Sequence, residues 1–360
     1  MVKFRQAFVR ATAKRAATRP TSIDLFAGAG GATTGLKRAG YDVLAAVELD
    51  GDAARSFSAN HPEVRVFVQD IRRVQIEALL DELRLRSGEL SLLKACPPCQ
   101  GFSSLGTRDS ADARNDLVLE VWRFIRGLRP RVFVVENVVG LLRDQRLADV
   151  LRKARALGYG VREYVINAND FGVPQKRRRL VILGVRGIPR ASLPTSLVAA
   201  AAGLRVDEGA KTVRGAFALL PLASQSDAAA RFRTPAANTL ARISRIPVGG
   251  NRFDLPDEFV LACHERLGRR TATSAYGRMK WDAPAPTLTS RCTTPACGTF
   301  VHPEQHRGIS LREAALLQSF PPDYKFVGSH GSIERQIGNA LPVRLAESLG
   351  RIASTLLPKE

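Results

Sequence analysis

Cys99 stands in the stretch ACPPCQGFSSLG, residues 95–106, behind Pro97-Pro98 and ahead of Gly101, Ser103, Ser104 and Gly106. Proline locks φ and donates no backbone hydrogen bond, so the pair fixes the direction from which the thiol is presented, and the glycine- and serine-rich segment lets the following loop move. That is the mount of a nucleophile. Cys96 and Cys99 also form a C-x-x-C, the spacing of a zinc pair or a redox dithiol. A zinc site needs further ligands at short spacing, and Cys263, Cys292 and Cys297 lie far along the chain. Glu136, in Glu136-Asn137-Val138, follows the apolar run 132–135 and is either a structural cap or a proton handler. Beyond Gly172 comes Gln175-Lys176-Arg177-Arg178-Arg179, in which alternate residues share one side of an entering strand. Gln175, Arg177 and Arg179 can therefore converge on one site.

These groups need elements to hold them. The apolar run 90–95 suits a strand that delivers Cys99 at its carboxyl end, where open α/β sheets place ligands. Earlier, a short strand over 23–26 runs into Gly28-Ala29-Gly30-Gly31 and a helix over 32–39. Glycines there permit a tight turn and close backbone approach, and the helix start offers unpaired N–H groups. A second strand, 43–47, ends at Glu48, and an acid about 20 residues after such a turn commonly binds a ribose hydroxyl pair. A third, 64–68, leads to Asp70, which is placed to accept from an adenine amino group. Dinucleotide and S-adenosylmethionine binders share this pattern. Leu117, Val118, Val121, Phe124, Ile125 and Leu128 recur at helical spacing and end before Pro130. A helix over 150–157 and strands over 159–166 and 180–185 complete the alternation.

The chain has 360 residues, 45% hydrophobic and 24% charged, enough for two domains. Fifty-four Lys+Arg against 34 Asp+Glu give a formal charge of +20, which favours a polyanion such as nucleic acid. Residues 1–20 carry six cations and no acid, which suits a flexible basic arm. Five cysteines without a secretory signal argue for reduced thiols in a cytoplasm-like compartment. No apolar run reaches the ~20 residues of a membrane helix.

In these blocks the chain resembles the DNA cytosine-5 methyltransferases. The match runs over residues 23–349: DLFAGAGG at 24–31, PPCQGFS at 97–103, ENV at 136–138, QKRRR at 175–179, SLREAALLQSFP at 310–321 and QIGNALP at 336–342. The resemblance implies an α/β fold, with a Rossmann-like S-adenosylmethionine-dependent methyltransferase domain on a mixed, mostly parallel sheet and a smaller irregular target-recognition domain. Cys99 would add to carbon 6 of a flipped cytosine, Glu136 would give ring nitrogen 3 a proton, Arg179 would hold the base carbonyl, and Arg177 would favour the thiolate or hold a phosphate. No metal is implied. The implied cofactor contacts are Phe26, Ala27, Gly28, Gly30, Gly31, Glu48, Leu49, Asp70, Ile71, Pro98, Asn339 and Ala340. Leu49 stands where an aromatic often covers the adenine, which leaves stacking to Phe26 and Ile71.

DNA contacts are expected at Gln100, Ser103, Ser104, Arg114, Gln175, Arg252, Arg278, Thr287, Leu288 and Arg291, with Arg245, Asn251, Tyr276 and Lys280 as further candidates. Most of these would be phosphate rather than base contacts. The expected organisation is a catalytic domain over 21–188, target recognition over 189–300 and a return segment over 301–360 with a helix across 336–349. The partner implied is double-stranded DNA, for a monomer that a restriction endonuclease encoded nearby would accompany. An RNA cytosine-5 methyltransferase of the same fold is the alternative and would carry a smaller basic recognition region. A nicotinamide oxidoreductase would give no reason for PPCQ and ENV.

Overall fold

The computed structural model describes residues 19–98, 116–204, 209–220, 228–230, 232–267 and 271–358. The basic arm expected over residues 1–20 lies outside them except for Arg19 and Pro20. Strands β1 (Thr21–Leu25), β2 (Asp42–Glu48), β3 (Arg65–Val68), β4 (Leu92–Ala95), β5 (Val132–Asn137), β6 (Tyr159–Asn167) and β7 (Arg178–Arg186) form one sheet in the order β3-β2-β1-β4-β5-β7-β6. The strands from β3 to β5 pair in parallel, and β7 runs antiparallel between β5 and β6. The order reverses between β1 and β4, so a crevice opens beyond their carboxyl ends.

Both faces of the sheet are covered. Helices α1 (Gly31–Arg38), α2 (Gly51–Asn60), α3 (Ile76–Leu83), α4 (Leu117–Leu128), α5 (Gln145–Ala156), α6 (Leu197–Ala202), α7 (Val213–Phe217), α8 (Ala237–Ile243), α9 (Ala262–Leu267), α10 (Leu311–Leu317), α11 (His330–Asn339) and α12 (Val343–Thr355) follow in chain order. Strand side chains alternate between two cores. Val132 and Val134 face α1, α6 and α12, whereas Phe133 and Val135 face α3, α4 and α5. Glu136 and Asn137 belong to β5 itself, which runs past the expected 132–135 because both pair with β7.

A third core joins Val213, Phe217, Met279, Leu288 and Phe300 to α10 and α11, and a fourth gathers Ile243, Ile246, Leu255, Tyr276 and Val301. Leu193 and Leu197 sit in the core beside α1 and α12, so this core continues past residue 188. The expected helix over 336–349 is two helices. Ala340 is extended, at φ −61° and ψ 143°, and Pro342 is the N-cap of α12, because proline disfavours a helical predecessor and has no N–H to continue the ladder. Among the described residues no helix is long and apolar enough to cross a membrane.

Candidate functional site

A cleft of about 2150 Å³ opens at the carboxyl ends of β1, β2, β4 and β5. On one side the chain leaves β1 through Phe26 (φ 57°) and Gly28 (φ 58°), a left-handed turn that only glycine adopts without strain. A Cβ on Gly28 would meet nothing within 4 Å, so this backbone borders open space. The Gly28 N–H donates to Glu48 Oε2 at 2.7 Å and the Asp50 N–H to Oε1 at 2.8 Å. Burial pushes the Glu48 carboxyl above its usual range, against the downward pull of those N–H groups. Held this way, the carboxylate keeps lone pairs for a diol. Asp50, beside it, is the N-cap of α2.

Phe26, Ala27, Gly28, Gly31, Glu48, Leu49, Asp70, Ile71, Pro98, Asn339 and Ala340 all line the cleft. Gly30 does not. Its Cβ position points behind the loop, 2.8 Å from Tyr324 Oη and 2.9 Å from His61, so glycine is needed there for packing. Asp70 is engaged by the Arg72 guanidinium and backbone N–H, which hold its carboxyl down to about 2. An adenine amino group would share an acceptor already in use. Ile71 is 4% exposed and Leu49 68% exposed, so Leu49 offers more apolar surface to a ring than Ile71 does.

Across the cleft, Glu136 is 7% exposed at the end of β5. Arg179 Nε lies 3.0 Å from Glu136 Oε1, an ion pair without hydrogen-bond geometry, which leaves Oε1 buried and unsatisfied. Asn137 donates from Nδ2 to the Pro97 carbonyl at 2.9 Å, tying the Pro97-Pro98 turn beside Glu136. Sequence reasoning gave Asn137 no such role. Cys99, Gln100, Ser103, Ser104 and Arg114 lie outside the described residues.

Another group that the sequence reading missed lies beneath. Lys94 and Asp24 form a buried ion pair at 2.8 Å across β4 and β1, and Thr33 donates to the other Asp24 oxygen at 2.8 Å. An acid and a base in register on two neighbouring strands, each flanked by apolar residues, were the signal that could have revealed it. Burial pushes the Cys96 thiol well up, against the pull of the nearby Lys94 ammonium. Among the described residues no group of three His, Cys, Asp or Glu lies together as a metal site would need.

Several expected DNA contacts are scaffold. Arg252 is 6% exposed and donates to the carbonyls of His264, Thr271 and Ala272. Arg278 is 3% exposed and donates to those of Ile243, Ile246, His302 and Gln305. Each gathers backbone carbonyls from loops and short helices, hydrogen bonds that offset the cost of burying a guanidinium. Tyr276 is buried in the fourth core. Gln175 is fully buried, and Arg177 donates to backbone carbonyls in the interior, so neither presents itself to a phosphate. Leu288 is buried as well, whereas Thr287 and Arg291 line the cleft with surface to offer. Arg245 and Lys280 are exposed, and Asn251 caps a short turn.

The family model of the C-5 cytosine-specific DNA methylases matches residues 21–354. The chain belongs to that family. It is 33% identical over 348 residues to the Type II methylase M.HgiDII of Herpetosiphon aurantiacus, covering 91% of this chain and 93% of the relative. To the Type II methyltransferase M1.HphI of Haemophilus parahaemolyticus it is 31% identical, covering 91% and 85%. Among solved structures, a prophage-encoded protein of Escherichia coli described as a DNA modification methyltransferase aligns with TM-score 0.66 and 25% identity over 94% of this chain and 99% of that one. The Dnmt2 methyltransferase of S. pombe aligns with TM-score 0.64, covering 94% and 98%, but at 18% identity it shows the fold alone. The sheet of this methylase is the mixed, mostly parallel one expected for a Rossmann-like methyltransferase, and its activity is C-5 methylation of cytosine in DNA.

Proposed function

We propose that this methylase takes its methyl group from S-adenosylmethionine bound along Phe26–Gly28, Glu48, Leu49 and Asp70, and transfers it to a cytosine flipped out of duplex DNA against Cys99, Glu136 and Arg179. The observation that carries this reading is the placement of the Glu48 ledge and the Glu136–Arg179 pair in one cleft, at the carboxyl ends of β2 and β5. The residues fit the donor: a carboxylate with free lone pairs faces open backbone, and an exposed leucine stands beside it. When bound, S-adenosylmethionine supplies a methyl group on a sulfonium, an electrophile that ring carbon 5 of free cytosine is too weak to attack.

The chain's own residues supply the activation. The Cys99 thiolate bonds to carbon 6, the displaced electron pair makes carbon 5 an enamine carbon, and Glu136 gives nitrogen 3 a proton. A base seated between Glu136 and Arg179 would take the guanidinium on its carbonyl oxygen in place of the carboxylate oxygen it now faces. After transfer, loss of the carbon 5 proton and departure of Cys99 restore the aromatic ring. Thr287 and Arg291 support the DNA strand at the rim, and sequence is read by the part of the chain between residue 204 and the end of the fourth core. The Type II names of the relatives suggest a companion restriction endonuclease. The test is bisulfite sequencing of plasmid from cells expressing the protein. Cytosines protected at one recurring sequence, and lost with Cys99→Ser, are expected. Unprotected plasmid together with newly methylated tRNA would turn the reading to RNA.

A further inference from the structure

Two of the residues expected at the DNA are buried where three segments of the chain meet. Arg177 is 4% exposed, and its guanidinium gathers carbonyls from two of those segments: Leu288 O at 3.0 Å, and Gly338 O and Ala340 O each at 3.3 Å. Its own backbone is pinned at the end of β6, where its N–H donates to Asn167 Oδ1 at 2.9 Å and its carbonyl accepts from the Ala168 N–H at 2.9 Å. Gln175 and Gln318, both 0% exposed, extend the set. Gln175 accepts from the Leu288 N–H at 2.9 Å and donates to Gln318 Oε1 at 3.0 Å, and Gln318 donates to Ile337 O at 2.7 Å. Thr287 Oγ1 adds a bond to Lys176 O at 2.7 Å.

We propose that Arg177, with Gln175 and Gln318, is a clasp of positioning residues that couples the two halves of the cleft, so that filling the cofactor half sets the half that holds the target strand. The inference rests on the reading of the cleft given above. Residues 287–291 and 338–340 both line the cleft, and on that reading the first segment faces the base and the second the cofactor. They approach backbone to backbone, since a Cβ on Gly338 would lie 2.0 Å from Thr289 O. A ligand that moves either segment moves carbonyls bound to the same rigid guanidinium fork, and the other segment must follow or lose charge-assisted hydrogen bonds in the interior. Burying a guanidinium is costly, and a lysine ammonium, a point charge without the planar fork, could not hold both segments at fixed angles. Coupling of this kind is reciprocal: DNA must tighten the cofactor by the same factor as the cofactor tightens DNA.

The experiment titrates S-adenosylhomocysteine and a duplex carrying the site found by bisulfite mapping, each alone and in the presence of the other. In the unmodified protein, saturating S-adenosylhomocysteine should tighten duplex binding by roughly tenfold, within the common range for coupled sites. Arg177→Lys keeps the charge but not the fork and should bring the factor below about twofold, with S-adenosylhomocysteine affinity in the absence of DNA nearly unchanged. Thr287→Val, at a half-buried rim position, guards against a folding failure at Arg177 and should lower the factor partially. Both ligands bound with an undiminished factor in both variants would overturn the clasp and leave the function intact, as would a factor of one in the unmodified protein. Failure of the unmodified protein to bind S-adenosylhomocysteine at all would overturn the reading of the cleft, and the clasp with it.

Discussion

At the scale of single residues, backbone hydrogen bonds fix how polar groups are presented to the cleft. Glu48 shows this clearly, since the N–H groups of Gly28 and Asp50 fix its plane while the rest of the carboxylate faces the cleft. Glu48→Ala should weaken S-adenosylmethionine by roughly 10–100-fold, the worth of one or two charge-assisted hydrogen bonds, and leave DNA affinity in the absence of cofactor unchanged. Glu48→Gln keeps an acceptor for one backbone N–H and should fall between. Calorimetry checks this, and unchanged cofactor affinity in Glu48→Ala would remove the residue from the site. Single residues are also where sequence reading failed. Arg252 and Arg278 were expected to face DNA because the family resemblance places target reading in their part of the chain, but each is sequestered by backbone carbonyls from separate stretches of chain, a set that exists only after folding.

At the scale of elements, much of the architecture was legible, because apolar runs ending in Gly28, Glu48, Asp70 and Glu136 mark strand ends directly. The alternation of Gln175, Arg177 and Arg179 was legible too, with Lys176 and Arg178 exposed between them. What Gln175 and Arg177 would touch was not legible, since their partners are more than 100 residues away at Leu288, Gln318 and Gly338. The seam between α1 and α12 has the same character. Gly35 sits inside α1, where alanine is favoured over glycine by about 1 kcal/mol. A Cβ there would lie 2.3 Å from Val343 O and 2.7 Å from Glu347 N, both backbone atoms that cannot rotate away. Gly35→Ala should therefore destabilise the protein, by about 1–3 kcal/mol, because overpacking outweighs propensity. A lower urea midpoint is the expected result, and an unchanged or raised midpoint would mean that α12 yields easily.

At the scale of the whole molecule, the formal charge of +20 sets how the methylase meets its substrate. Much of the affinity should come from phosphates and counterion release, so log K for duplex should fall linearly with log salt, by about 0.9 for each phosphate contacted. Arg291→Ala should flatten that slope by about 1, whereas Arg252→Lys, an interior change, should leave it unaltered. A slope that responds to Arg252 and not to Arg291 would place the DNA elsewhere. The central claim, that Cys99 attacks cytosine in this cleft, is tested most directly by DNA carrying 5-fluorocytosine at the target position. Fluorine cannot leave as a cation, so the covalent adduct stalls after methyl transfer. A denaturation-resistant protein–DNA complex should form only with S-adenosylmethionine present, disappear in Cys99→Ser and persist in Cys96→Ser. Equal loss of trapping in both variants, with stoichiometric zinc in the purified protein, would show that the C-x-x-C binds metal and would contradict the account.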